Sequence, residues 1–318
     1  MTLLNSYVTL LVSFMEVNID MNTTAKELLT ETMRRIDGAY SPSTIRAYKA
    51  NFERFIEFCE SIQASSIPAN SKDIATYIAL LSKSRLKSAS IRIAIAAISS
   101  IHKLNQFNDP TQHPDVAIEM RRMHRTLGRA SKQAYGITED VLEKMISTTK
   151  NDLRGLRDRA LLHLAYISLC RRTELVSLRM EDIVSDDRNF PTQIRLRRSK
   201  TDQEAIGKVI RISAKAQASL KDWIDGANIS EGFIFRGIKN NRHKSESLSP
   251  GQINRIYKRM AILAKIPKDQ VKNISGHSTR VGAAQDLINS GASLPTLMKR
   301  GRWTKPDTAM RYAGGTGL

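Results

Sequence analysis

The sequence predicts a mainly α-helical protein with a small antiparallel β-sheet, built as an N-terminal helical bundle and a larger α+β domain. Three observations predict it. Apolar residues recur at three- and four-residue spacing through most of the chain. Period-two alternation is confined to one interval, near residues 193–212. A polar, aperiodic stretch, Gly128 to Gly136, separates two periodic regions. A length of 318 residues suits about two domains.

The elements follow in order. Residues 24–36 read as a short helix. Ser41-Pro42 supplies a cap and a proline for the first helical turn, where its missing N–H is not needed. The helix that follows sets Tyr48, Phe52, Phe55, Ile56 and Cys59 on one face. Pro68 and Asn70 break the pattern. Ser71 is expected to cap a helix carrying Ile74, Tyr77, Ile78 and Leu81. Ser88 to Leu104 repeats the habit with Ile91, Ile95 and Ile98. Pro114 opens a fourth helix that ends in Arg121, Arg122 and Arg125. Four amphipathic helices with short connections make a bundle. The expected organisation is a partly disordered N-terminal extension over residues 1–37, the bundle over 38–128, a linker over 129–136 and a second domain over 137–318.

In the second domain, Thr138-Glu-Asp starts a capped helix. Ile194 and Leu196 alternate with arginines, and Lys208 to Ile212 alternates less cleanly. The polar run Ser199 to Glu204 lies between them, which is a hairpin signature. Phe233-Ile-Phe235 is expected to form a third short strand. Ser249-Pro250 caps a helix over 249–264. Ile253, Ile256, Met260 and Leu263 are expected to face inward, with Arg255, Lys258 and Arg259 on another face.

Composition narrows the function. Apolar residues make up 41% of the chain, enough for a core of ordinary size, which excludes wholesale disorder. Lys and Arg number 50 against 31 Asp and Glu, a net charge of +19. Such an excess implies an acidic partner: nucleic acid, an anionic membrane or an acidic protein. Residues 1–37 carry −2, 38–135 carry +7 and 136–318 carry +14, so the partner should meet the later segments. Cys59 and Cys170 are too few for a disulfide framework or a cysteine zinc site, and suit a reducing, cytoplasmic setting. The apolar run Tyr7 to Met15 has no basic residue before it and is shorter than the ~18–20 residues of a membrane span. No membrane partner is expected. The sequence has no glycine-rich phosphate loop, no metal-ligand spacing among its six histidines and no GxSxG elbow. No metal or cofactor is expected, and the chemistry falls to arginine, histidine, lysine or tyrosine.

Three clusters offer those groups. The first is Leu169-Cys-Arg171-Arg172-Thr-Glu174-Leu175, at the end of an apolar helix. The second is Ser275-Gly-His277-Ser-Thr-Arg280-Val-Gly282, and the third runs from Gly301-Arg-Trp303 to Tyr312. Helical positions three apart share a face, so Arg171 should meet Glu174 and His277 should stand beside Arg280. Two arginine forks and an imidazole suit the non-bridging oxygens of a phosphodiester.

The order and spacing of these clusters resemble the tyrosine recombinases, the phage integrase family. "LCRRTELVSLRMEDI" resembles the box that holds the family's first arginine, which assigns Arg171. "SKTDQ" resembles the hairpin segment that supplies its lysine, which assigns Lys200; Lys208, across the hairpin, competes for the role. "SGHSTRVGAA" resembles its His-x-x-Arg box, which assigns His277 and Arg280. Trp303 falls where the family has His or Trp, and Tyr312 falls nine residues later, where the family has its nucleophile. The helical bundle resembles the family's core-binding (SAM-like) domain and the second domain its catalytic domain. The likeness runs over roughly residues 38–313.

The resemblance implies a site-specific recombinase that cuts and rejoins double-stranded DNA at paired sites through a 3′-phosphotyrosine intermediate. Arg171 and Arg280 would hold the phosphate, and Lys200 would protonate the leaving 5′-oxygen. His277 would either donate to the phosphate or accept the phenol proton. Trp303 has only an indole N–H and cannot act as a base. Glu174 would orient Arg171 or form a plain helix ion pair. The resemblance further implies a homotetramer on DNA, with a dimer at each site, and a cytoplasmic, nucleoid-associated enzyme. Arg121, Arg122, Arg125, Arg129 and Lys132 would touch phosphates where the linker crosses the DNA and the two domains close around it. Arg255, Lys258 and Arg259 would enter the major groove, and Ser88 and Arg92 would face DNA from the first domain. Many relatives continue into a terminal helix that links protomers, whereas here six residues follow Tyr312. Two rival readings stand beside this one: a type IB topoisomerase-like enzyme, and a non-catalytic DNA-binding protein on the same scaffold.

Overall fold

A computed structural model describes residues 25–129, 132–185, 191–197, 207–240 and 242–314. The chain divides into two compact units, Met1–Ser131 and Lys132–Leu318.

The first unit is a helical bundle. Its described elements are α1 (residues 25–35), α2 (Pro42–Ser61), α3 (Ser71–Lys83), α4 (Ser88–Leu104) and α5 (Pro114–Leu127). Phe52, Phe55, Ile56, Ile74, Ile78, Ile91 and Ile98 form its core, and Ala25, Leu29, Met33 and Ile36 are buried with them. Residues 25–36 therefore belong to the bundle rather than to a loose extension, because their apolar stripe has the same period and packs on the same core. The caps follow local chemistry. Ser41 accepts from the Thr44 N–H ahead of α2. The cap of α3 is Asn70, not Ser71: the Asn70 side chain accepts from the Lys72 N–H at 2.9 Å, and Ser71 is the first helical residue. His102 is buried between two backbone groups, with Nδ1 donating to the Ile98 carbonyl and Nε2 accepting from the Ala69 N–H.

The second unit is α+β. Helices α6 (Glu139–Ile146), α7 (Leu153–Ser168) and α8 (Arg172–Ser177) lead into strands β1 (Ile183–Ser185), β2 (Pro191–Leu196) and β3 (Lys208–Arg211). The three strands form one antiparallel sheet in the order β1-β2-β3. The expected hairpin is β2–β3, with Ile194 opposite Ile210 and Leu196 opposite Lys208. Strand β1 has three residues, too few to show alternation. Helix α9 (Ala214–Gly226) follows, and its Trp223 is buried, donating to the Ile234 carbonyl at 2.9 Å. The expected strand Phe233–Phe235 is not one. Phe233 makes an isolated bridge to Arg179, while Ile234 and Phe235 are buried ahead of a second hairpin, β4 (Arg236–Lys239) with β5 (Arg242–Ser247).

Helix α10 (Pro250–Leu263) buries Ile253, Ile256, Tyr257, Met260 and Ala261. Leu263 is 53% exposed rather than inward, because the buried stripe runs through Tyr257 and Ala261 and leaves it at the edge. The chain ends its described part with α11 (Lys268–Lys272), α12 (Ser278–Asn289), α13 (Leu294–Gly301) and α14 (Pro306–Ala313). A separate small core joins these last helices: Leu169, Ala283, Ala284, Leu297, Trp303, Ala309 and Ala313. Both cysteines are buried and free. Among the described residues, no helix is long and apolar enough to cross a membrane.

Candidate active site

The site is built around the end of α7. Leu169 follows that helix in the left-handed conformation, with φ 48°. The turn leaves the Ser168 and Leu169 carbonyls without helical donors. Two arginines from elsewhere in the unit supply them. Arg302 Nη1 donates to the Ser168 carbonyl at 2.9 Å, and its Nη2 to the Leu169 carbonyl at 3.2 Å. Arg280 Nη1 donates to the same Leu169 carbonyl, and Arg280 Nη2 to the Gly301 carbonyl at 2.9 Å.

Arg171 does not sit inside a helix. It is the N-cap of α8, and Glu174 occupies the first turn. The Glu174 carboxylate accepts from the Arg171 backbone N–H at 2.9 Å and from Arg171 Nη1 at 2.7 Å. Its other bond is to Arg302 Nη2, at 2.8 Å. Glu174 is thus a buried carboxylate that pairs with Arg171 and also with Arg302, more than a plain helix ion pair. Burial opposes its charge, yet Arg302 and the Arg171 N–H and guanidinium hold its carboxyl below the usual value.

His277 caps α12 and Arg280 lies one turn in. Arg280 is fully buried, and its Nε has no hydrogen-bond partner. Burial, with Arg171 and Arg302 nearby, pushes its pKa down to about 10, so it stays protonated at neutral pH. The Arg280 guanidinium carbon lies 5.0 Å from the centre of the Trp303 ring and 5.4 Å from that of Tyr312. Trp303 and Tyr312 pack with ring centres 4.8 Å apart. The Tyr312 hydroxyl lies 3.1 Å from His277 Nδ1. His277 as a residue is exposed. Desolvation of its ring, then the charges of Arg280, Arg172 and Arg171, hold its pKa below the usual imidazole value. The neutral ring can therefore accept the phenol proton at Nδ1.

The structure brings Arg171, Glu174, His277, Arg280, Trp303 and Tyr312 together. The pattern of the phage integrase family matches residues 136–316, and that of its N-terminal SAM-like domain matches residues 33–107. This chain belongs to the phage integrase family. It is a tyrosine-type site-specific recombinase. An integrase/recombinase XerD homolog of Selenomonas ruminantium is 27% identical over 298 residues, covering 90% of this chain and 86% of that protein. The recombinase Cre of Escherichia phage P1 is 25% identical over 290 residues, covering 86% and 84%. Among solved structures, the XerH site-specific recombinase bound to a palindromic difH substrate shares the fold. Its TM-score is 0.62 at 16% identity, over 84% of this chain and 75% of that one.

The remaining integrase residues named from sequence are scattered. Lys200 lies outside the described residues. Lys208 opens β3, and its Nζ donates to the Lys299 carbonyl at 3.2 Å. Desolvation, then Arg302 and Lys299, lower its pKa. Arg121, Arg122 and Arg125 are exposed on α5, with Arg122 bonded to Glu119 at 2.8 Å. Arg129 and Lys132 are exposed beyond it. Arg255 borders a cavity of about 810 Å³ that Arg154, Arg157, Lys239 and Lys244 also line. Lys258 reaches the Lys272 carbonyl at 3.4 Å. Arg259 is not simply a solvent-facing cation: it pairs with Asp158, a buried carboxylate also held by Arg157 at 2.8 Å. Ser88 is buried, its hydroxyl 3.0 Å from His124 Nδ1, whereas Arg92 is exposed. Among the described residues no His, Cys, Asp or Glu cluster could hold a metal ion. Sequence reasoning missed Arg302. The one signal was its place directly before Trp303.

Proposed function

We propose that this recombinase cuts and rejoins double-stranded DNA through a 3′-phosphotyrosine intermediate on Tyr312. The observation that carries this reading is the hydrogen bond between the Tyr312 hydroxyl and His277 Nδ1, at 3.1 Å. A phenol has a pKa of ~10 and is a poor nucleophile until it loses its proton. Neutral His277 takes that proton as the phenol oxygen attacks the scissile phosphorus. The bond from phosphorus to the 5′-oxygen breaks, and Lys200 gives the leaving oxygen its proton, with Lys208 the rival donor. The pentavalent transition state carries two negative charges. Arg171 and Arg280 stabilise them, the latter through the Nε that has no partner in the free protein. Trp303 holds the Tyr312 ring by packing against it at a tilt of 31°.

One phosphoester replaces another, so the exchange needs no external energy source. Rejoining is the reverse attack by a second 5′-hydroxyl. Strand exchange between two DNA sites calls for a dimer at each site and a homotetramer across the pair. The XerH structure is described as a post-cleavage complex with its DNA substrate, which supports DNA as the partner here. Arg121, Arg125, Arg129 and Lys132 then grip phosphates, and Arg255 and Lys258 contact DNA from α10.

The test uses nicked suicide duplexes, drawn from the DNA flanking the gene and from a randomised pool. Wild-type protein forms an adduct that survives SDS, and Tyr312→Phe forms none. An adduct that persists in Tyr312→Phe, or no adduct with any duplex, overturns the reading. Relaxation of supercoiled DNA without recombinant joints from two captured sites selects the type IB topoisomerase-like alternative.

A further inference from the structure

We propose that Arg302 is a positioning residue that cancels the charge of Glu174, so that the carboxylate orienting Arg171 does not weaken the grip on the phosphate. The inference rests on the phosphodiester-cleaving reading of the site.

Arg302 is placed for this and for little else. Its side chain is 8% exposed, so it is no surface cation for the DNA backbone. It sits past α13 in the left-handed conformation, with φ 54°. That turn sends it back to the end of α7, where its Nη1 donates to the Ser168 carbonyl and its Nη2 to both the Leu169 carbonyl and Glu174. The Leu169 carbonyl is shared with Arg280. A single turn of backbone therefore anchors Arg280 directly and Arg171 through Arg302 and Glu174.

The charge count gives the arrangement its purpose. Glu174 aims Arg171 by a bond to its N–H and another to its Nη1. Left alone, that carboxylate would neutralise Arg171 and leave Arg280 as the one unopposed cation among these groups. Arg302 restores the balance. Among Arg171, Arg280, Arg302 and Glu174, three guanidinium groups against one carboxylate leave a net of two positive charges beside a transition state of two negative charges. The side chains of Arg302 and Glu174 are both buried, so the charge between them is weakly screened.

Electrostatic balance and mere structural support predict opposite results for one double variant. The assay is single-turnover cleavage of a suicide duplex on which wild-type protein forms its adduct, with DNA affinity measured alongside. Arg302→Gln should cleave about tenfold to a hundredfold more slowly, the range typical of groups that act through a functional neighbour, with little change in DNA affinity. Arg302→Lys should recover part of the rate. In the double variant Arg302→Gln with Glu174→Gln the unmatched negative charge is gone, so it should cleave several-fold faster than Arg302→Gln alone. If Arg302 only holds the fold, the double variant is as slow as the single or slower, and the inference fails. It fails equally if Arg302→Gln cleaves at the wild-type rate.

A readout independent of cleavage separates this inference from the reading of the site. Arg302 helps hold the Glu174 carboxyl below its usual value. The stability that this gives is present above the unfolded pKa and is lost as pH falls through the folded one. Removing Arg302 raises the folded pKa, so the acid-side drop in melting temperature of Arg302→Gln should begin at higher pH than in wild type. The Glu174→Gln background should abolish that difference. A difference that persists there overturns the link between Arg302 and Glu174, whether or not any duplex is cleaved. If no duplex yields an adduct, the reading of the site falls and this inference falls with it.

Discussion

At the level of single residues, the pairing of Tyr312 with His277 makes a claim about pH. The ring is held below the ordinary histidine value of 6.5 by desolvation and three arginines. A base must be deprotonated to act, so cleavage falls only as pH drops through that lowered value. The acid limb of the single-turnover rate should therefore lie below pH 6.5. In His277→Gln the limb should vanish and the rate at neutral pH should fall by about 10² or more, a general base's usual share. A limb unchanged in His277→Gln would assign the titration to another group. The grouping was legible in the sequence through resemblance: Arg171, His277, Arg280 and Tyr312 stand at the order and spacing of the family's boxes, and the structure brings them together. Arg302 was not legible, because its meaning lies in a bond to Glu174, 128 positions away. Nothing local distinguishes that arginine from a solvated one.

Elements carry information that side-chain types do not. The bundle helices were legible from their periodicity, and the β2–β3 hairpin from alternation around a polar run. The β4–β5 hairpin was not, since Arg236–Lys239 and Arg242–Ser247 are polar and present no alternating apolar face. Nor was the close approach of α12 to the segment before α6. The Ile137 N–H donates to the Ser278 carbonyl at 2.9 Å. Gly282 meets the same segment so tightly that an added Cβ would lie 1.9 Å from the Ile137 carbonyl oxygen. Backbone cannot yield there as a flexible side chain would. Gly282→Ala should lose about 1–3 kcal/mol of stability in urea unfolding, the cost of overpacking. Because α12 carries Arg280 and is capped by His277, adduct formation should fall as well. A variant as stable and as active as wild type would show that this helix can shift freely, and that the approach does not position the site.

For the whole molecule, the +19 charge separates into cations that meet DNA and cations that do not. Each phosphate neutralised on binding releases counterions, and the slope of log affinity against log salt changes by ~0.9 per contact on duplex DNA. Arg121 and Arg125 are exposed, and we propose them for the first class. Replacing both with Gln should weaken binding across all sequences and make the slope shallower by ~2, with melting temperature nearly unchanged. We propose Arg259 for the second class, since its partner is the buried Asp158. Arg259→Gln should leave the salt slope as it is and lower the melting temperature, because it strips one of two arginines from a desolvated carboxylate. Salt titrations on one random duplex, run beside thermal melts, distinguish the classes. A slope that shifts in Arg259→Gln without loss of stability would move that residue to the DNA-facing set, where its helix position alone had put it.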